Sequence, residues 1–355
     1  MRPASGYSIA AITRVFQTRY EGSTPSTRSL DTSFLTKMLI KDKIYGNFET
    51  SSPVIIELIN AGLFQRLKGI NQTGIPNDYY HLKGCSRYDH SVGVFILLNH
   101  LGASEEEQVA GLLHDVSHTA FSHVIDWLVN DSSNKEDFQD KRHLSVLQKE
   151  EISNILKKYG YSPEIIADYH RFGILEREIP DLCADRIDYS LRESPLTVAR
   201  ESLPNLVVSN NEIVFSNESA ALVFADNLLK RQAEHWAGYE AITRYALLSN
   251  LLRQAIKNND IKFDDLLETD NFVIDKIIGT GKKEYLEVLK FLKNKSLDFL
   301  PRAIKPIVKK FRYVDPKVLV SGKMTRLSEI STNFKNKLAE AKSLNLQGVR
   351  PGMIS

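Results

Sequence analysis

The chain has 355 residues, 42% of them hydrophobic and 25% charged, and its net charge at neutral pH is only +2. That profile belongs to a globular protein with one large core or two ordinary ones, and near-neutrality argues against a general pull toward nucleic acid or anionic membrane. Two cysteines, Cys85 and Cys183, cannot build a disulfide framework, and no apolar run reaches the roughly 20 residues of a membrane span, so a cytoplasmic protein is expected.

Residues 1–37 hold twelve Ser/Thr and five basic residues against two acids, with no sustained apolar period. They read as a disordered leader or a misassigned start, outside the fold. From Met38 onward helical signals dominate. "SSPVIIELINAGLFQRLKGI" (51–70) offers Ser52 as N-cap and Pro53 in the first turn. "DHSVGVFILLNHL" (89–101) is apolar nearly all round, which predicts a buried helix. "SEEEQVAGLLHDVSHTAFSHVIDWLV" (104–129) opens on a capping box, Ser104 with Glu107, and reads as one unbroken helix. Further helices are expected near 144–159, 163–171, 180–193, 218–257 and 323–342. Only "LVVSNNEIVFS" (206–216) reads as strands, a hairpin turning at Asn210–Asn211. The predicted fold is all-α with one small hairpin. A softer boundary near 259–285 divides residues 38–258 from a mostly helical extension, 259–355, whose basic run "PRAIKPIVKKFRY" reads as a solvated face.

Six of the nine histidines fall between residues 90 and 143. His81, His100 and His170 read as ordinary surface or hydrogen-bonded histidines. On a 104–129 helix, His114 and His118 share a face, and Asp115 turns about 100° from His114. Imidazole with carboxylate suits one mid-series divalent metal, manganese, iron, nickel or zinc, over calcium.

These residues resemble a known family. "SRYDHSVGV" (86–94), "LLHDVSHTAFSH" (112–123) and "ADRIDYSLRE" (184–193) resemble the spaced H…HD…D signature of the HD-domain phosphohydrolases, and "FQRLKGINQTG" (64–74) the opening motif of the deoxynucleoside-triphosphate triphosphohydrolase branch. The resemblance runs from about residue 44 to 256. It implies an HD-domain helical core and a metal held by His90, His114, Asp115 and Asp185, with Asp188 bracing Arg87 or Arg186. His118, Asp126 and His143 are the implied acid–base groups, Asp126 orienting His118 and raising its pKa for proton delivery near neutrality. Arg87, Arg186 and Tyr189 match positions that hold phosphates, His123 one that contacts phosphate, and Gln72 and Tyr245 positions near the sugar.

The sequence also departs from that pattern. Leu144 follows His143 where the family carries an acid, Tyr245 is followed by Ala246, Leu247 and Leu248 in place of a His–Lys pair, and a phosphate-holding arginine falls at Ala237. The distal phosphate clamp is thinned. The implied activity is metal-dependent hydrolysis of a (deoxy)nucleoside triphosphate to nucleoside and triphosphate, with magnesium accompanying the nucleotide. The alternatives are an HD-type phosphatase or phosphodiesterase on monophosphates or another small phosphoester, and a silent nucleotide-sensing module. The expected partner is the nucleotide; a homo-oligomer stays open, and neither membrane nor nucleic acid is expected.

Overall fold

The computed structural model describes residues 37–129 and 137–354, so the reading of 1–37 as a leader lies, Lys37 apart, outside the described residues. Residues from Lys37 onward form one unit. The architecture is mostly α with small β elements. A hairpin of β1 (Met38–Asp42) and β2 (Gly46–Thr50) leads into the helix Pro53–Asn60, capped by Ser52. Helices Arg87–His100, Glu105–Leu113, Val124–Val129, Phe138–Leu147 and Ala184–Arg192 follow, then β3 (Leu206–Ser209) and β4 (Glu212–Phe215). Helices Glu218–Arg231, Tyr239–Lys257, Asp270–Gly279 and Lys283–Leu292 precede β5 (Lys317–Val320), β6 (Lys323–Arg326) and the helix Thr332–Gln347.

The expected hairpin at 206–216 is present. Asn210 and Asn211 both take positive φ, 51° and 59°, as a two-residue hairpin turn demands. It is not the only one. β5 and β6 turn at Ser321–Gly322, and β4 joins β5 in parallel to give a four-stranded sheet ordered β3-β4-β5-β6. The expected helix from 323 therefore starts later, at Thr332, because Lys323–Arg326 is taken up by β6. These strands are four or five residues long and half-exposed, too short to show a period of two.

Two apolar clusters make the interior. One surrounds the Arg87–His100 helix, with Val94, Phe95 and Leu98 fully enclosed. The other surrounds the Tyr239–Lys257 helix and takes in Phe121, Val273 and Leu289. The segment 114–123 passes from one to the other, and it is not helical. The unbroken 104–129 helix is a misreading: the helix ends at Leu113 with His114 as its cap, and a new one begins at Val124. Ser117, Thr119 and Ser122 favour turns, and Phe121 and Ser122 adopt φ of 62° and 43°, which no helix tolerates. Ser104 caps Glu107 as expected, but Glu107 turns inward to accept from the amides of Ile174 and Leu175 and does not close the capping box.

Asp270 pins this turn. Its two carboxylate oxygens accept from Phe121 N at 2.7 Å and Asn71 N at 2.8 Å, all buried. Asp270→Ala strands both amides. Each unsatisfied buried donor costs about 1–3 kcal/mol, so the unfolding free energy is expected to fall by about 2–6 kcal/mol in denaturant titration. An unchanged midpoint would show that the turn holds itself.

Candidate metal centre and active-site cavity

Ser86 caps the Arg87–His100 helix in a reciprocal box with Asp89, which fixes where the first turn begins and so where His90 points. His90 is completely enclosed. Its Nδ1 lies 2.7 Å from Asp188 Oδ2, and Asp188 also takes the Arg192 Nε at 2.6 Å and the Tyr45 hydroxyl at 2.9 Å. Gly93 makes this possible, since a Cβ there would overlap both the Arg192 guanidinium and the Asp188 carboxylate. Arg192 in turn reaches Asp42 at 2.7 Å, tying the centre to the first hairpin.

His114 presents the second imidazole. Its Nδ1 donates to Gly111 O at 2.7 Å. A carbonyl and an ionised carboxylate are acceptors only, so His114 and His90 both carry their proton on Nδ1. The two Nε2 lone pairs then face each other at 3.1 Å. Asp185 Oδ1 lies 2.9 Å from His90 Nε2 and 3.4 Å from His114 Nε2, while Asp115 approaches them at 3.7 and 3.5 Å. Four electron-pair donors converge with no proton between them. A divalent ion with bonds of about 2.0–2.2 Å separates neighbouring ligands by about 3 Å, so the donor set fits one.

The charges of the centre follow from its neighbours. Burial lowers the pKa of His90, but hydrogen bonds to Asp185 and Asp188 outweigh it and carry it up to about 9. Burial opposes ionisation of Asp115, and the Arg87 guanidinium, 2.7 Å away, holds its carboxyl well below the usual carboxylate range. His118 donates toward Asp115 at 3.2 Å, yet burial and then Arg87 push it down to about 3. It is neutral throughout the physiological range.

The centre opens into a cavity of about 640 Å³. His114, Asp115, Asp185, His118, His123 and His143 reach its wall, as do Gln72, Arg87, Arg186, Tyr189 and Tyr245. His90 and Asp126 do not. His143 sits against the Tyr169 ring with Nδ1 3.1 Å from the Ser117 hydroxyl, and its Nε2 has no partner among the described residues.

Residues 87–193 match the HD domain family. The uncharacterised protein YdhJ of Bacillus subtilis (strain 168) is 34% identical over 319 residues, which cover 86% of this chain and 95% of that protein. The chain belongs to the HD-domain family. Another member it resembles, the metal-dependent phosphohydrolase cns2 of Cordyceps militaris, is 29% identical over 237 residues, 63% of this chain and 68% of that one. Human deoxynucleoside triphosphate triphosphohydrolase SAMHD1 is 32% identical over 152 residues, 36% of this chain and 24% of its own length. The crystal structure of a hypothetical protein from Aquifex aeolicus shares the fold, with a TM-score of 0.64 over 88% of this chain and all of that one at 19% identity.

Three expected pairings in this HD-domain chain are corrected. Asp126 does not orient His118: it pairs with Nδ1 of His123 at 3.2 Å and accepts the Phe138 amide, because the helix break at His114 swings His118 away from it. His118 is accordingly lowered, not raised. Asp188 braces His90 and Arg192, not Arg87 or Arg186. Arg87 is held by Asp115, Ser122 and the Gln72 carbonyl, and Arg186 by Glu176 and the carbonyls of Asp181 and Arg177. The basic run near residue 310 is not a solvated face throughout, since Lys309 is only 5% exposed and lines the cavity with Lys310 and Arg312. Sequence reasoning also passed over Tyr80, Glu193 and His235, which meet on the cavity wall with His235 Nε2 2.6 Å from the Tyr80 hydroxyl and Nδ1 2.7 Å from Glu193. Nothing in their spacing marks them; Tyr80 and His235 are 155 residues apart. Ala237 lies on a separate groove, away from this cavity.

Two outcomes follow. His114→Ala removes one donor and is expected to abolish bound divalent metal, measured by elemental analysis, with helical circular dichroism retained; full metal occupancy would remove His114 from the centre. Burial, and after it His114, lower His143 to about 3 from its ordinary 6.5. Between those values the unfolded chain binds a proton that the folded chain does not, so stability falls as pH drops through 6.5 toward 3. At pH 5 this amounts to on the order of 2 kcal/mol, and His143→Gln is expected to flatten that part of the acid limb in thermal melts. Equal acid sensitivity in both proteins would mean that His143 protonates freely when folded.

Proposed function

We propose that the chain is an HD-domain metal-dependent phosphohydrolase that converts a (deoxy)nucleoside triphosphate to nucleoside and inorganic tripolyphosphate. One observation carries the reading. The two facing imidazoles and two carboxylates stand at a 640 Å³ cavity whose walls alternate aromatic rings, Trp127, Tyr189, Trp236 and Tyr245, with guanidinium groups. Rings suit base and sugar, and guanidinium suits phosphate oxygens. The names of the fungal and human relatives support the same class of reaction.

His90, His114, Asp115 and Asp185 would hold one transition ion, of manganese, iron, nickel or zinc. When bound, that ion supplies Lewis-acid polarisation of a phosphoryl oxygen. The chain's own groups do the rest. Arg87 anchors Asp115 and so fixes the carboxylate in the cavity wall. His118, neutral and with a bare Nδ1, is suited to take a proton from the attacking water rather than to begin as the acid. Water adds to the α-phosphorus, the bond from phosphorus to O5′ breaks, and the proton is returned to O5′. His123, oriented by Asp126, and His143 line the space through which phosphate and proton pass.

Phosphorus NMR of metal-loaded protein with a panel of nucleotides tests the reading. Tripolyphosphate and free nucleoside are expected from the first turnover. Stepwise diphosphate and orthophosphate would overturn the bond assignment. Hydrolysis of monophosphates alone would favour the small-phosphoester reading, which the departures at Ala246–Leu248 suggest.

A further inference from the structure

The segment 301–316 carries neither helix nor strand, yet it is fixed in place. The Lys309 carbonyl accepts from Asn345 Nδ2 at 2.9 Å, the Lys310 carbonyl accepts from Gln232 Nε2 at 3.1 Å, and Ile307 exchanges both backbone hydrogen bonds with Val349. This anchoring directs three cations, Lys309, Lys310 and Arg312, to one wall of the cavity. Lysine is rarely buried, but Lys309 is enclosed, its ammonium 5.3 Å from the Trp127 ring centroid and 5.5 Å from that of Tyr245. Trp127, itself buried on the same wall, has an indole N–H without a partner among the described residues. Arg312 stands toward Tyr189, whose ring lies 6.4 Å from that of His90. The wall therefore offers donors, an ammonium pair, a guanidinium and an indole N–H, on a stretch running from the Trp127 side to the Tyr189 side.

We infer that Lys309, Lys310 and Arg312 form a second anion subsite that holds the phosphates beyond the one at the His/Asp centre, so that the cavity selects a polyphosphate over a single phosphate group. The inference rests on the phosphohydrolase reading and narrows its substrate to polyphosphate-bearing nucleotides. Two ammonium groups and a forked guanidinium match several adjacent phosphate oxygens, whereas one phosphate at the metal centre needs none of them. The cations come from a part of the chain more than a hundred residues beyond the H…HD…D motifs.

The test is calorimetric titration of the full, metal-loaded chain with magnesium-saturated inorganic tripolyphosphate and, separately, with orthophosphate, bound metal being measured before and after. Changing Lys309, Lys310 and Arg312 together to glutamine is expected to weaken tripolyphosphate binding by about a hundredfold or more and orthophosphate binding by less than about threefold. Lys310→Gln alone, at an exposed position that tolerates substitution, is expected to cost tripolyphosphate about tenfold and guards against a misfolded triple variant. Equal losses for both anions, or no loss for tripolyphosphate, would overturn the subsite. Selective tripolyphosphate binding that depends on the three residues, in a protein that hydrolyses no nucleotide, would sink the hydrolase reading and leave the subsite. Nucleotide hydrolysis with tripolyphosphate binding indifferent to the three would do the reverse.

Discussion

Two imidazole lone pairs held 3.1 Å apart, with water excluded behind them, are the constraint around which the rest is arranged. Left alone, that arrangement is repulsive. It persists because each ring is locked by an acceptor on its other nitrogen and because carboxylates approach from the cavity side. The locks are long-range. His90 depends on Asp188, Asp188 on Arg192, and Arg192 on Asp42 at the end of the first strand, so a surface hairpin sets the orientation of a buried ring.

The same economy governs the second half of the centre. Asp115 is paired with the buried Arg87, whose other nitrogens reach Ser122 and the Gln72 carbonyl. A buried ion pair of this kind contributes little net stability, but removing one partner leaves an uncompensated charge. Its value is positional: it holds a carboxylate ionised and aimed where a cation can use it. The turn that carries Asp115 is held at its far end by Asp270, from a helix well beyond the signature motifs, so the second apolar cluster supports the site as much as the first.

The proton chemistry is divided between environments. His118 and His143 are kept neutral by burial, while His90 is drawn upward by two carboxylates despite equal enclosure. Neutral histidines beside an ionised cluster accept protons readily, and the His123–Asp126 pair supplies an oriented imidazole at the more open part of the wall.

By itself, the sequence determined the helical class, the hairpin at Asn210–Asn211 and the candidates His90, His114, Asp115 and Asp185, because caps, turn residues and motif spacing are local signals. It did not determine who pairs with whom. The break after Leu113 arises from a turn whose backbone is satisfied by Asp270, about 150 residues away, so helical periodicity could not reveal it. That break moved Asp126 from His118 to His123, and the packing at Gly93 gave Asp188 to His90. The short strands were decided by pairing with one another, and Lys309 by an anchored loop folding back onto aromatic rings. Partner choice and burial are properties of approach between distant segments, and only the tertiary structure brings those segments together.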